Sequence, residues 1–284
     1  MQCVSFHFQR LTILMALPGS ELYWDDSLTT LERWYCRIWG IPIIGLRIRL
    51  RWLDRHLPPV ATRILDAGCG RGVISRMLTQ RYPDAMIDAI DQNTVGQEIN
   101  QQLAKKMGLK NCRFLVADLT HLDLAEEFDL IVSVDNLEHI EDDRGVLCRF
   151  FHAMRPDGVL VVHVPHYYRR WPVFKWTKNF DVPGHVRPGY HLPELIERVR
   201  SAGFEVQRIG FSYSFFENLA NNISYAITSA EEKRKWLYAA AFPLLNLLAC
   251  IDRWSNPHMG AGVWAIANKR HPNNRMPDSA EQKE

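Results

Sequence analysis

From Arg63 to about Pro165 the chain alternates short, nearly continuous apolar runs with segments whose apolar residues recur every three or four positions. Strand-like runs joined by helical segments through short turns are the pattern of a parallel sheet covered on both faces. The runs predict strands at 63–67, 86–91, 113–117, 128–134 and 158–164, with helices at 72–82, 94–107 and 142–154. Pro156-Asp157-Gly158 predicts a turn leading into the fifth strand. Further on, Leu192 to Ala202 predicts a helix ended by Gly203, followed by a sixth strand from Phe204 to Phe211 and a last one from Gly262 to Lys269. Ligands of such sheets bind outside the carboxyl ends of the strands, at the switch point of strand order.

The flanks read differently. Thr29-Thr-Leu-Glu32 fits the S/T-x-x-E capping box and predicts a helix through Trp34, Tyr35, Ile38 and Trp39, broken by Gly40 and Pro42. Ile43 to His56 mixes Ile44, Leu46, Ile48, Leu50 and Leu53 with Arg47, Arg49, Arg51 and Arg55, and Pro58-Pro59 closes a helical extension over 1–59. Residues 60–270 then form one domain with insertions at 165–190 and 212–261, and the polar stretch 271–284 is expected to be disordered. The first insertion is dense in aromatics, cations and His. In the second, Glu231-Glu-Lys-Arg-Lys235 predicts a solvated helix face. Trp236 to Ile251 is nearly all apolar but too short to span a bilayer, so it is either a lid helix over a substrate pocket or a helix lying in a membrane interface.

Composition narrows the function classes. The chain has 284 residues, enough for one large domain or two small ones. At 47% hydrophobic and 23% charged residues it is of ordinary globular type, and a net charge of +2 argues against a dedicated nucleic-acid binder. Six scattered cysteines with no C-x-x-C read as reduced packing residues of a cytoplasmic protein, and no metal is expected. Arg10 and the short run Leu11 to Leu17 mimic a signal peptide only weakly; translation starting at Met15 is an alternative account of residues 1–14.

The chemistry concentrates at the strand ends. In Arg63-Ile-Leu-Asp-Ala-Gly-Cys-Gly-Arg-Gly72 an apolar run stops at Asp66 and glycines follow at every second position, Gly68, Gly70 and Gly72, before a helix start. Glycine is needed where φ is positive or the backbone must touch a ligand, and N–H groups at a helix start attract electron-rich groups. Dinucleotide folds space these glycines as G-x-G-x-x-G. The spacing here is D-x-G-x-G-x-G, and the leading carboxylate suits a cationic amino acid moiety better than a pyrophosphate. The second strand ends at Asp91, followed by Gln92, about 20 residues past the glycines, the separation suited to gripping ribose hydroxyls. The third ends Val116-Ala117-Asp118-Leu119, and the fourth runs through Asp135 into Asn136-Leu-Glu-His-Ile140.

In order and spacing these motifs resemble the class I S-adenosylmethionine-dependent methyltransferases, in particular the small-molecule branch with the ubiquinone, menaquinone and sterol-type enzymes. The resemblance covers about 60 to 210 and the last strand. It implies a doubly wound, seven-stranded, mostly parallel α/β sheet of Rossmann-like type, with the seventh strand antiparallel between the fifth and sixth. It also implies S-adenosyl-L-methionine as cofactor. Asp66, Gly68, Cys69 and Gly70 would hold its methionine part, Asp91 with Gln92 its ribose, and Asp118 with Leu119 its adenine. Asp135 and Asn136 would line the methionine side near the methyl group. Gly184-His-Val-Arg187 resembles a segment that such enzymes place before the helix leading to the sixth strand.

Methyl transfer is an in-line displacement in which alignment alone is worth roughly 7–11 kcal/mol, and a hydroxyl or phenol acceptor also gains from a general base. Histidine suits that task near neutral pH. His139 stands first, with His166 and His185 next, whereas His163, mid-strand, is read as a residue that hydrogen-bonds to structure. The D/N-P-P-Y/F motif of amino-directed enzymes does not follow the fourth strand. Aromatic and Arg-rich stretches at 33–55 and 167–178 favour an apolar acceptor near anionic groups or a membrane surface. The sequence therefore points to methylation of an O or C atom of a small, apolar or lipid-like acceptor, without nucleic acid. A soluble polar metabolite as acceptor and a non-catalytic cofactor-binding subunit are the alternatives.

Overall fold

Ile64 and Leu65, Leu130 and Ile131, Leu160 and Val161 are successive buried pairs on neighbouring strands. Because side chains alternate across a strand, each pair feeds two layers, so the sheet must be covered on both faces. In the computed structural model, which describes residues 19–168, 173, 184–228, 235–252 and 254–270, it is. Leu65, Ile131 and Leu160 join Phe150, Val199 and Val263 on one face, and Ile64, Leu130 and Val161 join Trp52, Leu78 and Trp264 on the other.

The elements in chain order are α1 (Thr30–Trp39), α2 (Ile44–His56), β1 (Arg63–Ala67), α3 (Val73–Arg81), β2 (Met86–Asp91), α4 (Thr94–Met107), β3 (Cys112–Val116), β4 (Phe128–Val134), α5 (Asp143–Ala153), β5 (Met154–Pro165), α6 (Leu192–Ser201), β6 (Glu205–Ser212), α7 (Phe215–Thr228), α8 (Lys235–Cys250) and β7 (Gly262–Asn268). The strands form one sheet in the order β3-β2-β1-β4-β5-β7-β6. β7 is antiparallel to both β5 and β6, where the resemblance put it. Strand order reverses between β1 and β4, which opens a crevice at their carboxyl ends.

Two local expectations need revision. The fifth strand begins at Met154, not at 158. Phe128 pairs with Met154 and Leu130 with Val159, so Pro156-Asp157-Gly158 is a bulge within the strand, with Asp157 at φ 64°. The second insertion holds two helices where the apolar run suggested one, because α7 carries its polar residues inside an apolar pattern. The N-terminal helices and that insertion also pack on each other: Ile44 and Ile48 of α2 share a cluster with Ala220 of α7 and with Phe242, Leu245 and Ala249 of α8. The capping box is present, Thr29 accepting from Glu32 N and Glu32 from Thr29 N. No described helix is long and apolar enough to cross a membrane. The readings for 1–14, 271–284, Glu231-Glu-Lys-Arg and most of 169–183 lie outside the described residues.

Candidate active site

β1 runs straight into the glycine turn, and the turn is tied to β2: Gly68 N and Cys69 N both donate to Ile90 O, at 2.8 and 3.0 Å. At Gly68 φ is 79°, and a Cβ there would stand 2.2 Å from the Asn136 side chain, so only glycine lets the β1 and β4 turns approach this closely. Gly70 faces open space, and its N–H donates to Asp91 Oδ2 at 2.9 Å. Asp91 Oδ1 accepts from Asn93 N at 2.9 Å, which fixes the carboxylate beside the turn. Gln92 is exposed. Further along, Asp118 Oδ1 accepts from Thr120 N at 2.8 Å, with Leu119 buried behind it. These residues stand at the carboxyl ends of β1, β2 and β3, beside the switch point where such sheets have their binding groove.

Asp66 and Cys69 lie beneath the groove instead of in it. Asp66 is 1% exposed and accepts from Ser75 Oγ at 2.6 Å. Burial, with the Asp91 charge adding, pushes its pKa up to about 7 against the opposing Ser75 hydrogen bond. The Cys69 thiol is buried against Gln97 Oε1 at 3.4 Å, and burial raises its pKa. Both residues therefore brace the turn from below through these internal contacts.

Beside the groove lies a cavity of about 420 Å³. Its floor is the turn after β4 and the end of β5; its walls come from α2, α7 and α8, through Arg49, Asn221, Tyr225 and Tyr238. Asp135, at φ 48°, lines it, with both oxygens engaged. Arg49 pairs with Oδ2, and His163 Nδ1 donates to Oδ1 at 2.8 Å. His163 Nε2 is hydrogen-bonded to Ser212 Oγ at 2.7 Å. Burial works against the Arg49 charge, but Asp135 more than offsets it and holds the guanidinium above its ordinary value. His163 is thus the structural hydrogen-bonder expected, although it also borders the cavity.

The histidines separate. His139 and His185 line the cavity with their rings edge to face at 4.5 Å. His139 Nδ1 donates to Gly184 O at 2.8 Å, which leaves Nε2 with the lone pair. His166 is not among the lining residues. Its half-buried ring packs among Tyr168, His191 and Phe211, and burial, with His191 adding, pushes its pKa down to about 4. It is a weak base that does not line the cavity.

A protein-family profile described as "Methyltransferase domain" matches residues 64–158, the span that carries all four strand-end motifs. Over that span the chain is similar to the class I S-adenosylmethionine-dependent methyltransferases. It is 27% identical over 151 residues to (S)-coclaurine N-methyltransferase of Thalictrum flavum subsp. glaucum, covering 53% of this chain and 39% of that protein. It is 27% identical over 112 residues to the ubiquinone biosynthesis O-methyltransferase of Pseudomonas fluorescens (strain Pf0-1), covering 39% of this chain and 47% of that protein. These matches span less than half the length of either curated relative. A solved phosphoethanolamine N-methyltransferase 2 of Haemonchus contortus, in complex with S-adenosyl-L-methionine, shares the fold: TM-score 0.57 at 15% identity, covering 90% of this chain and 61% of that one.

The strand ends fit S-adenosyl-L-methionine on their own geometry. Gly70 leaves open space where a ligand backbone can lie. The Asn136 side chain lies against Gly68, and its Nδ2 is buried with no hydrogen-bond partner, a donor open to a ligand. The 135–139 turn is the common wall of groove and cavity. Sequence reasoning missed most of the cavity's far wall: Arg49 was visible only as one of several arginines in α2, and Asn221 and Tyr225 only as polar residues in a region without a motif.

Proposed function

We propose that this chain transfers the methyl group of S-adenosyl-L-methionine to an O or C atom of a small, apolar or lipid-like acceptor held in the cavity. The observation that carries the reading is the meeting of groove and cavity at the 135–139 turn, with a cavity wall built from Ile43, Ile44, Tyr213, Tyr225 and Tyr238. When bound, the cofactor supplies an electrophilic methyl on a cationic sulfur. Gly68, Gly70, Asp91, Gln92, Asp118, Leu119 and Asn136 would hold it along the groove. The Arg49–Asp135–His163 network keeps the floor rigid, so an acceptor in the cavity is aligned at little cost at the moment of reaction. His139 and His185 stand where an acceptor proton leaves.

An apolar acceptor also accounts for the outer surface. Leu31, Trp34 and Ile38 on α1, Leu244 and Leu247 on α8 and Ile251 just beyond it are exposed large apolar side chains. α1 and α8 adjoin through Tyr35, whose hydroxyl donates to Ala239 O at 2.6 Å. Trp24, Trp34 and Trp236 with Arg37 and Lys235 suit a bilayer interface, and this face would rest on a lipid surface beside the cavity.

The test is calorimetric titration with S-adenosylhomocysteine, then a labelled-methyl assay on lipid extract. Binding with label in the organic phase is the expected outcome. Label confined to water-soluble products would move the acceptor to a polar metabolite, which the Asn221, Asn222 and Thr228 side of the cavity would accommodate. Binding with no turnover on any extract would make the chain a non-catalytic subunit, and no binding would overturn the proposal.

A further inference from the structure

Three side chains on the cavity wall converge more tightly than proton transfer requires. One ligand atom each from Glu138, His139 and His185 lies within 4.8 Å of the other two. Glu138 and His139 are fixed on the single turn Leu137–His139, while His185 arrives from a distant loop. That loop is held by two backbone ties: Val186 N donates to Glu138 O at 3.0 Å, and Gly184 O accepts from His139 Nδ1 at 2.8 Å. The second tie fixes the tautomer, so that Nε2 carries the lone pair. A ring N–H given to a backbone carbonyl is the arrangement that orients metal-bound histidines. Glu138 is 1% exposed, and a carboxylate removed from water is stabilised by a cation beside it.

We propose that Glu138, His139 and His185 form the binding site of one divalent transition-metal ion at the acceptor end of the cavity. Two imidazoles and a carboxylate are the ligand set of three-ligand zinc sites that keep a position open, and imidazole nitrogen selects against magnesium and calcium. The inference deepens the methyltransferase reading by naming the acceptor class: a hydroxyl, phenol or enol whose oxygen takes the open position. Coordination lowers the pKa of a bound O–H as it does for bound water. The acceptor oxygen displaces a metal-bound water, and its proton passes to solvent. The oxygen–carbon bond then forms as the sulfur–carbon bond of the cofactor breaks. His139 and His185 act as ligands in this scheme, and neither has to be a free base.

The experiment is titration of Co²⁺ into the full-length, chelator-stripped protein, followed by visible absorption and calorimetry. One equivalent per chain is expected, with d–d bands and without the near-ultraviolet charge transfer that a cysteine ligand gives. His185→Ala and Glu138→Gln should each weaken Co²⁺ binding by at least about tenfold. His185 sits half-buried on a loop, so its variant keeps the test available if Glu138→Gln fails to fold. S-adenosylhomocysteine titrated into the same samples reports the groove separately. Homocysteine-ligand binding without stoichiometric Co²⁺ binding, thiolate bands, or Co²⁺ binding undiminished in both variants would each overturn the metal site and leave the methyltransferase reading standing. Failure of S-adenosylhomocysteine to bind the wild type would instead sink that reading.

Discussion

Two aspartates that look equivalent in the sequence sit in opposite surroundings. Asp91 keeps its carboxylate at the groove, tied by Gly70 N and Asn93 N, so Asp91→Ala is expected to weaken S-adenosylhomocysteine by at least about tenfold, read by calorimetry. Asp66 is buried and its pKa is about 7, raised from 3.8. Its folded form holds the proton more tightly than the unfolded chain, so its contribution to stability is complete below about pH 4 and is lost as pH rises through 7. Asp66→Asn should therefore flatten the fall in urea stability between pH 5 and 7.5, while leaving S-adenosylhomocysteine affinity within a few-fold of wild type. An equal loss of affinity in both variants would return Asp66 to the groove. The motif spells D-x-G-x-G-x-G in either case; the sequence marks the acid but not which side of the turn its carboxylate faces.

At the scale of elements, α8 contains Pro243, which cannot donate to the carbonyl four residues earlier. That carbonyl, Ala239 O, takes the Tyr35 hydroxyl of α1 instead, at 2.6 Å. Tyr35→Phe leaves it unsatisfied and is expected to cost about 1–3 kcal/mol in chemical denaturation. Pro243→Ala restores an N–H in the helix, so the same Tyr35→Phe change should cost measurably less in that background; an unchanged cost would refute the link. Gly68→Ala meets a harder obstacle, positive φ together with Asn136 at 2.2 Å, and is expected to lower both thermal stability and S-adenosylhomocysteine affinity. The sheet was legible because each strand and helix of 63–165 declares itself within about a dozen residues. The α1–α8 joint was not, since Tyr35 and Ala239 lie 204 positions apart and nothing local marks them as partners.

For the whole molecule, the strand-end motifs are consecutive in the sequence, whereas the cavity proposed for the acceptor is walled by α2, α7 and α8, which are far apart along the chain. Arg49 and Asp135 are 86 residues apart, so no spacing rule could join them. The outward stripe of α8 follows the same logic: the sequence showed an apolar helix, and the fold divides it into a buried face of Phe242, Leu245 and Ala249 and an exposed one of Leu244, Leu247 and Ile251. Leu244→Glu with Leu247→Glu is expected to abolish co-sedimentation with anionic liposomes without changing the melting temperature by more than a degree or two. Liposome binding that survives both charges would detach this face from any lipid.

β7 sits between β5 and β6, yet it is the last strand to be made. A ribosome will have released everything through β6 while two neighbouring strands still lack the partner that joins them, with their backbone donors and acceptors bare. The native sheet cannot close until residues 262–268 leave the exit tunnel. Ribosome-bound chains with 262–268 still in the tunnel should be bound by chaperones and cut readily by protease, and the released chain should not.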